Sequence, residues 1–206
     1  MIVLVSGATT TMAQLADPRF GVLVVPEARN RPTSLRLTPG TWAMDNGAYH
    51  GFKPAPFVRM LEVFYPWRAG CRFVAAPDVV GDAATTLQQW PFWSGLIRGC
   101  GYPPALVAQD GLTVQQVLWD EMTTLFIGGT TTWKESADAA TLAAYAHARG
   151  IQVHWGRVST LRRLKHVRRV GADSLDTSGL SRWPDEMVRR FSGWLTRLEQ
   201  QPELAL

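Results

Sequence analysis

The sequence predicts a single-domain (β/α)8 barrel spanning residues 1–206, and three observations carry that prediction. Eight short apolar, β-branched runs recur along the chain. Stretches of helical character separate nearly all of them, which is the arrangement of a parallel sheet covered on its outside. The 206 residues suffice for one domain at the compact end of this fold's range of about 200 to 400, so several helices must be clipped. A doubly wound open sheet is the competing architecture. It lacks support, because no GxGxxG follows the first strand and no Walker lysine loop is present. The stretch SGATTT at 6–11 is only a weak echo of a phosphate loop.

Taken in order, strands are expected at 2–6 (IVLVS), 21–26 (GVLVVP), 41–45 (TWAMD) and 71–77 (CRFVAAP). Four more are expected at 105–109 (ALVAQ), 124–128 (TLFIG), 151–156 (IQVHWG) and 172–176 (ADSLD). Helices are expected at 11–17, 55–68, 82–99, 113–118, 135–149, 159–169 and 184–199, and the crossover at 27–40 reads as loop. Chemical start signals support three of the helices. Asp82 opens one, Ser136 and Asp138 fall in the first turn of another, and Pro184 with Asp185 and Glu186 suits the start of the last.

A hydrophobic content of 46% and a charged content of 18%, with 18 Gly and 13 Pro scattered along the chain, exclude a disordered or collagenous polymer. A chain of this size buries roughly 70% of its unfolded surface, enough for a core without covalent staples. Cys71 and Cys100 alone build neither a disulfide framework nor a tetrahedral zinc site, so a reducing, cytoplasmic setting is expected. No run approaches the ~18 apolar residues of a membrane span. The net charge of +4 is unevenly placed: residues 1–148 hold 10 Lys/Arg against 11 Asp/Glu, and residues 149–206 hold 11 against 6. A basic terminal quarter suits a polyanionic partner such as nucleic acid, although a solvated surface is the plainer account. Of the cations 18 are Arg and 3 are Lys, and Arg forms the better bidentate phosphate clamp.

In a barrel, chemistry gathers at the carboxyl ends of the strands. Polar residues cluster at those ends: Asp45-Asn46-Gly47 after strand three, Asp78 after strand four, Gln109-Asp110 after strand five, Gly128-Gly129 after strand six, His154 and Arg157 at strand seven, and Asp176 at strand eight. Asp82 and Asp110 are assigned to helix N-caps. Asp45 and Asp78 end their strands well ahead of the next helix and are followed by glycines that admit close backbone approach. Asp173 and Asp176 are three apart, so an extended chain turns them to opposite faces, and Asp176 is the one expected in the mouth. Paired acids without a metal signature suit chemistry at an anomeric carbon, with one carboxylate attacking and another shuttling the leaving group's proton. His50, His147, His154 and His166 form no HxxxH or HxH pair, so no metal is assigned; His147 and His166 are expected to be exposed on helices, and His154 to be a satisfied interior side chain. Trp133 and Trp155, beside Lys134 and Arg157, can stack a base and hold its phosphate, or simply pack the rim. The segment 161–169 (LRRLKHVRR) turns Leu161, Leu164 and Val167 toward the sheet and five cations outward.

Read together and in order, the blocks AMDNGAY, APDVVGD, VAQDG, FIGGTTTWK and GRVST…GADSLD resemble the tRNA-guanine transglycosylase superfamily over about residues 41–179. The resemblance is to its compact phage and bacterial relatives that place 7-deazaguanine bases in DNA. It implies an enzyme, a pentosyltransferase that swings a guanine nucleotide out of its strand and displaces the base with an aspartate. A free deazapurine, such as 7-cyano-7-deazaguanine, then attacks the glycosyl-enzyme. By position, the resemblance makes Asp176 the nucleophile and Asp45 the proton shuttle. Asp78 reads the purine's Watson–Crick edge, Gln109 binds the base carbonyl, and the Gly128–Gly129 backbone lies against the base. Lys134, Arg157 and Trp133 are candidates for the nucleic-acid backbone. No cofactor is implied. The tRNA-acting members carry a cysteine-rich zinc insertion after the last strand, and this chain has too few cysteines for it, which turns the expectation toward double-stranded DNA. The trimmed size leaves room for a partner subunit or a second copy to supply strand recognition. Base excision with water as acceptor, transfer to tRNA, and a non-catalytic nucleic-acid-binding barrel are the alternatives.

Overall fold

The runs of consecutive apolar residues exist because both faces of each strand are buried, one against the barrel axis and one against the helices. In the computed structural model, which describes residues 1–6, 16–26, 32–177, 180 and 184–200, eight strands pair in parallel and in sequence order. They are β1 (Ile2–Val5), β2 (Phe20–Val24), β3 (Trp42–Met44), β4 (Cys71–Ala75), β5 (Pro104–Ala108), β6 (Thr124–Ile127), β7 (Gln152–Trp155) and β8 (Ser174–Thr177). Pairing of β8 with β1, Asp176 opposite Leu4, closes the barrel. Leu4, Leu23, Ala43, Phe73, Ala75, Val107 and Phe126 fill the inside. Val3, Val5, Val22, Met44, Leu106, Ile127 and Leu175 point outward and pack in one cluster with helix residues such as Phe57, Trp90 and Leu142.

Among the described residues, six α-helices of four residues or more cover the barrel: α1 (Pro54–Phe64), α2 (Ala83–Gly99), α3 (Thr131–Lys134), α4 (Ala137–His147), α5 (Leu161–Arg169) and α6 (Pro184–Gln200). Four of them start with a side chain that accepts an otherwise unpaired first-turn N–H group. Asp82 accepts from Thr85 N at 3.0 Å, Thr130 from Trp133 N at 3.3 Å, Ser136 from Ala139 N at 3.4 Å and Thr160 from Arg163 N at 3.3 Å. In α5, Leu164 and Val167 are buried as the periodicity requires. The crossover expected as loop holds, within its described part, one 3-10 turn at Pro32–Ser34.

Three helix boundaries differ from expectation. No α-helix forms over 113–118. There Thr113 donates to Gln116 Oε1 from its backbone N at 2.9 Å and its hydroxyl at 3.0 Å, Trp119 Nε1 donates to Val114 O at 3.0 Å, and these local bonds replace a helical ladder. The helix expected over 55–68 ends at Phe64 and continues as a 3-10 segment, Tyr65–Gly70, because Pro66 has no N–H to carry the α-ladder forward. The helix expected over 135–149 runs from Ala137 to His147 with Ser136 as its cap, and a separate short helix, α3, precedes it. The helix expected over 11–17 lies outside the described residues except for Ala16 and Asp17.

At one point the barrel tolerates no side chain at all. A Cβ on Gly21 would collide with the carbonyl oxygen of Thr41, the residue just before β3, and meet Leu4 Cδ2 at 2.9 Å. Because the first obstacle is backbone, Gly21→Ala is expected to destabilise the fold by about 2 to 3 kcal/mol, measured as a lowered urea midpoint; an unchanged midpoint would place β2 farther from β3 than this register allows.

Candidate active site

Short polar segments after β3, β4 and β5 turn inward and bond to one another. Asp45 Oδ1 accepts from Gly47 N at 2.8 Å, a turn made possible by the left-handed φ of 77° at Gly47. Asn46 joins two strands: its Nδ2 donates to Ala76 O and to Asp78 Oδ1, both at 2.7 Å, while its Oδ1 accepts from Ala48 N at 2.7 Å. Asp78 Oδ2 accepts from Gln109 Nε2 at 2.5 Å, and Gln109 Oε1 accepts from Gly81 N at 2.8 Å. Gln109 can lie across the mouth because Gly128 is opposite; a Cβ there would be 2.9 Å from Gln109 Nε2 and 2.7 Å from Val107 Cγ1.

The other half of the mouth comes from β6 to β8. Asp176 Oδ1 accepts from Arg157 N at 3.1 Å, and Asp176 Oδ2 faces His154 Nε2 at 3.2 Å. Arg157 has φ 59°, the sole positive φ among described residues other than glycine. That geometry aims its N–H at Asp176 while its guanidinium donates to Gly129 O at 2.7 Å and lies over the Tyr49 ring at 4.2 Å from the centroid. The mouth has two lobes that share Asp45, Asn46, Tyr49, Arg157 and Asp176. An inner lobe of about 70 Å³ is bounded by Asp78, Gln109, Gly128 and Gly129, and an outer one of about 360 Å³ by Leu23, Pro26, His50 and Lys53.

Two of the acids hold their protons above the usual carboxylate range. Burial raises the Asp45 carboxyl to about 6, the Gly47 N–H opposes it, and the nearby Asp176 charge raises it further. Burial likewise raises Asp78 to about 7, countered by the Asn46 hydrogen bond and by Arg157. Two carboxyls that keep their protons toward neutrality in a concave site make it a candidate for proton chemistry. Among the described residues, no group of three His, Cys, Asp or Glu side chains could hold a metal ion.

Asp45, Asp78, Gln109, Gly128, Gly129, Arg157 and Asp176 therefore all line the mouth, whereas other candidates do not. Lys134 is buried, with its Nζ donating to Gly156 O at 2.7 Å, and burial lowers its pKa to about 8. Trp133 is buried in the outer core, as is Trp155, which meets His166 edge-on. Residues 130–134 cap and form α3 instead of extending β6, and this carries Trp133 and Lys134 into the layer between the barrel and its helices. Asp110 is not a helix cap: it accepts from Thr130 N at 2.8 Å and Thr130 Oγ1 at 2.5 Å, bracing the turn after Gly129. Asp173 lies at the opposite end of β8, where it accepts from Val153 N at 2.8 Å and faces His147 Nε2 at 3.3 Å. His147 and His166 are half-buried rather than exposed. On α5, Arg162 and Arg163 pair with Glu135 at 2.7 and 3.2 Å, so part of the basic face is already engaged. Asn46 went unassigned in the sequence. Its signal is position alone, one residue beyond a strand-ending acid.

A closed eight-stranded parallel barrel with its polar cavity at the carboxyl ends of the strands is a (β/α)8, or TIM, barrel. Comparison with known proteins agrees at that level. No family model and no curated protein sequence matches the chain. Among solved structures it is similar to phosphoribosyl anthranilate isomerase from Thermus thermophilus, at TM-score 0.56 and 18% identity over 96% of this chain and 100% of that one. Tryptophan synthase from M. tuberculosis matches at TM-score 0.56 and 14% identity, covering 94% and 91% of the two chains. A native KDPGal structure matches at TM-score 0.55 and 14% identity, covering 97% and 95%. At these identities the likeness shows the barrel fold. No described helix is long and apolar enough to cross a membrane.

Proposed function

We propose that the protein is an enzyme, a DNA-guanine transglycosylase that exchanges guanine for a 7-deazaguanine base through an aspartyl-glycosyl intermediate. One observation carries the reading: Asp45 and Asp176, electrostatically coupled, stand where the two lobes meet, beside an inner lobe built from Asp78, Gln109, Gly128 and Gly129. The ordered sequence blocks that resemble the transglycosylase superfamily supply those same residues.

In the proposed reaction an Asp176 carboxylate oxygen bonds to C1′ of a flipped deoxyguanosine as the C1′–N9 bond breaks and its electron pair leaves with the base. Asp45 gives its proton to the departing guanine. The incoming deazapurine then returns the N9 proton to Asp45 as its N9 bonds to C1′ and expels the Asp176 carboxylate, restoring both acids. A carboxyl raised to about 6 suits a group that must give and then take a proton near neutrality. Asp78, as a carboxylate, accepts from the ring N–H and amino group of guanine, donors that both bases share. Its present partners, Asn46 and Gln109, hold it in place for this task. Arg157 at the rim is the cation nearest the emerging strand.

The test is incubation of the protein and labelled 7-cyano-7-deazaguanine with duplex DNA and, in parallel, with tRNA. Label is expected to enter DNA with stoichiometric release of guanine. Label in tRNA alone would reassign the acceptor, and guanine release without incorporation would identify a base-excising glycosylase.

A further inference from the structure

Inside the barrel a short polar column lies below the mouth. Ser174 and His154, paired in register across β8 and β7, lie among Phe73, Phe126 and Leu4 deep below the mouth. His154 is fully buried, with its ring 4.9 Å from that of Phe73 and 4.5 Å from that of Phe126 between centroids. Two polar contacts remain to it: Nδ1 to Ser174 Oγ at 2.9 Å and Nε2 to Asp176 Oδ2 at 3.2 Å. Burying an imidazole and a hydroxyl in such surroundings is unfavourable unless each finds a partner, and the column has one outlet toward the mouth, Asp176.

We propose that His154 is a positioning residue for Asp176, a neutral imidazole whose Nε2–H holds Oδ2 while Ser174 holds the ring. The inference rests on Asp176 as the nucleophile proposed above. The tautomer follows from donor chemistry. An ionised carboxylate only accepts, so Nε2 carries the proton, Nδ1 is left as acceptor, and the Ser174 hydroxyl donates to it. The charged and polar groups around the ring agree with a neutral state. Burial acts first to lower the imidazole pKa, Arg72 from β4 and Lys134 from α3 act in the same sense, and Asp176 opposes them. With the Arg157 N–H on Oδ1, the carboxylate is held at both oxygens and cannot rotate away from the mouth. Orientation of the attacking group in advance is where such a residue contributes to rate.

Two measurements decide the matter. The first, ¹⁵N NMR of the imidazole in the full-length protein, does not depend on base transfer. The wild type is expected to show the neutral Nε2–H form. Asp176→Asn is expected to switch the ring to Nδ1–H, because the Asn carbonyl must keep accepting from Arg157 N and so presents its NH2 group to Nε2. An imidazolium, an Nδ1–H ring in the wild type, or no response to Asp176→Asn would overturn the assignment. The second is steady-state base exchange. His154→Leu keeps the packing volume and is expected to lower kcat by roughly 10- to 100-fold with the KM for the free base unchanged, while His154→Gln, whose amide can still donate to Asp176, recovers most of the rate. Full kcat in His154→Leu would make His154 a packing residue. If the wild type transfers no base at all, the functional reading fails, and the NMR result still decides whether His154 holds Asp176.

Discussion

Asp176→Asn is expected to abolish the covalent protein–DNA adduct and to lower base exchange by roughly 10⁴-fold or more, the scale on which enzymes lose rate when a nucleophile is removed. The substitution is close to silent for the fold. An Asn keeps the volume of Asp176 and an oxygen to accept from Arg157 N, the 3.1 Å contact that ties β7 to β8 above the barrel. What it removes is the anionic electron pair that would bond to C1′. The adduct is read on a denaturing gel after incubation with duplex DNA, and the fold by an unchanged urea midpoint. Persistence of the adduct in Asp176→Asn would transfer the attack to Asp45, the other acid shared by the two lobes, since Asp173 sits at the far end of β8.

Asp45→Asn is expected to lower activity by about 10²- to 10⁴-fold, the contribution typical of a positioned acid–base group, and at the same time to stabilise the protein at alkaline pH. The turn survives the change because Asn Oδ1 can still accept from Gly47 N, 2.8 Å away. The stability effect follows from proton linkage. Folded Asp45 holds its proton to about pH 6, whereas in the unfolded chain it releases it near 4. Between those values the native state binds more protons, so the contribution of Asp45 to stability is complete below about pH 4 and is lost as pH rises through 6. An Asn does not ionise. The variant should therefore match the wild type near pH 4 and exceed it by ~2 to 3 kcal/mol at pH 8, read from urea unfolding at both pH values. An equal difference at both would mean that water, not the barrel wall, solvates the Asp45 charge. Loss of rate with gain of stability is the pattern of a strained, functional acid.

The barrel was legible because each strand is buried on two faces and so appears in the sequence as an uninterrupted apolar run ending in polar residues. That same rule brought Asp45, Asp78, Gln109 and Asp176 to one mouth before any coordinates. It failed after β6. There Gly128 to Lys134 reads as a continuous polar strand end, but Thr130 caps a new helix and carries Trp133 and Lys134 into the outer layer, so residues adjacent in sequence part company in space. A capping threonine three residues before a tryptophan was the available signal. The loop at 113–118 was misjudged because side-chain bonds from Thr113 and Trp119, invisible to periodicity, compete with a short helix. His154 was legible as an interior side chain but its service to Asp176 was not. That needs the β7–β8 register, which sets His154 beside Ser174 and one layer below the acid.

The register that joins Leu4 to Asp176 also sets when the site can exist. Of all strand pairings in the barrel, β1 with β8 bridges the longest stretch of chain, and contacts of such separation are the slowest to form because the whole intervening loop must be closed first. Asp45 and the Asp78 network can assemble from neighbouring strands, but the acid assigned the attack takes its place only when the two edges of the sheet meet. A chain still being synthesised or still folding therefore has half a mouth and no seated Asp176, so the covalent chemistry we propose would arise only with the closure of the ring.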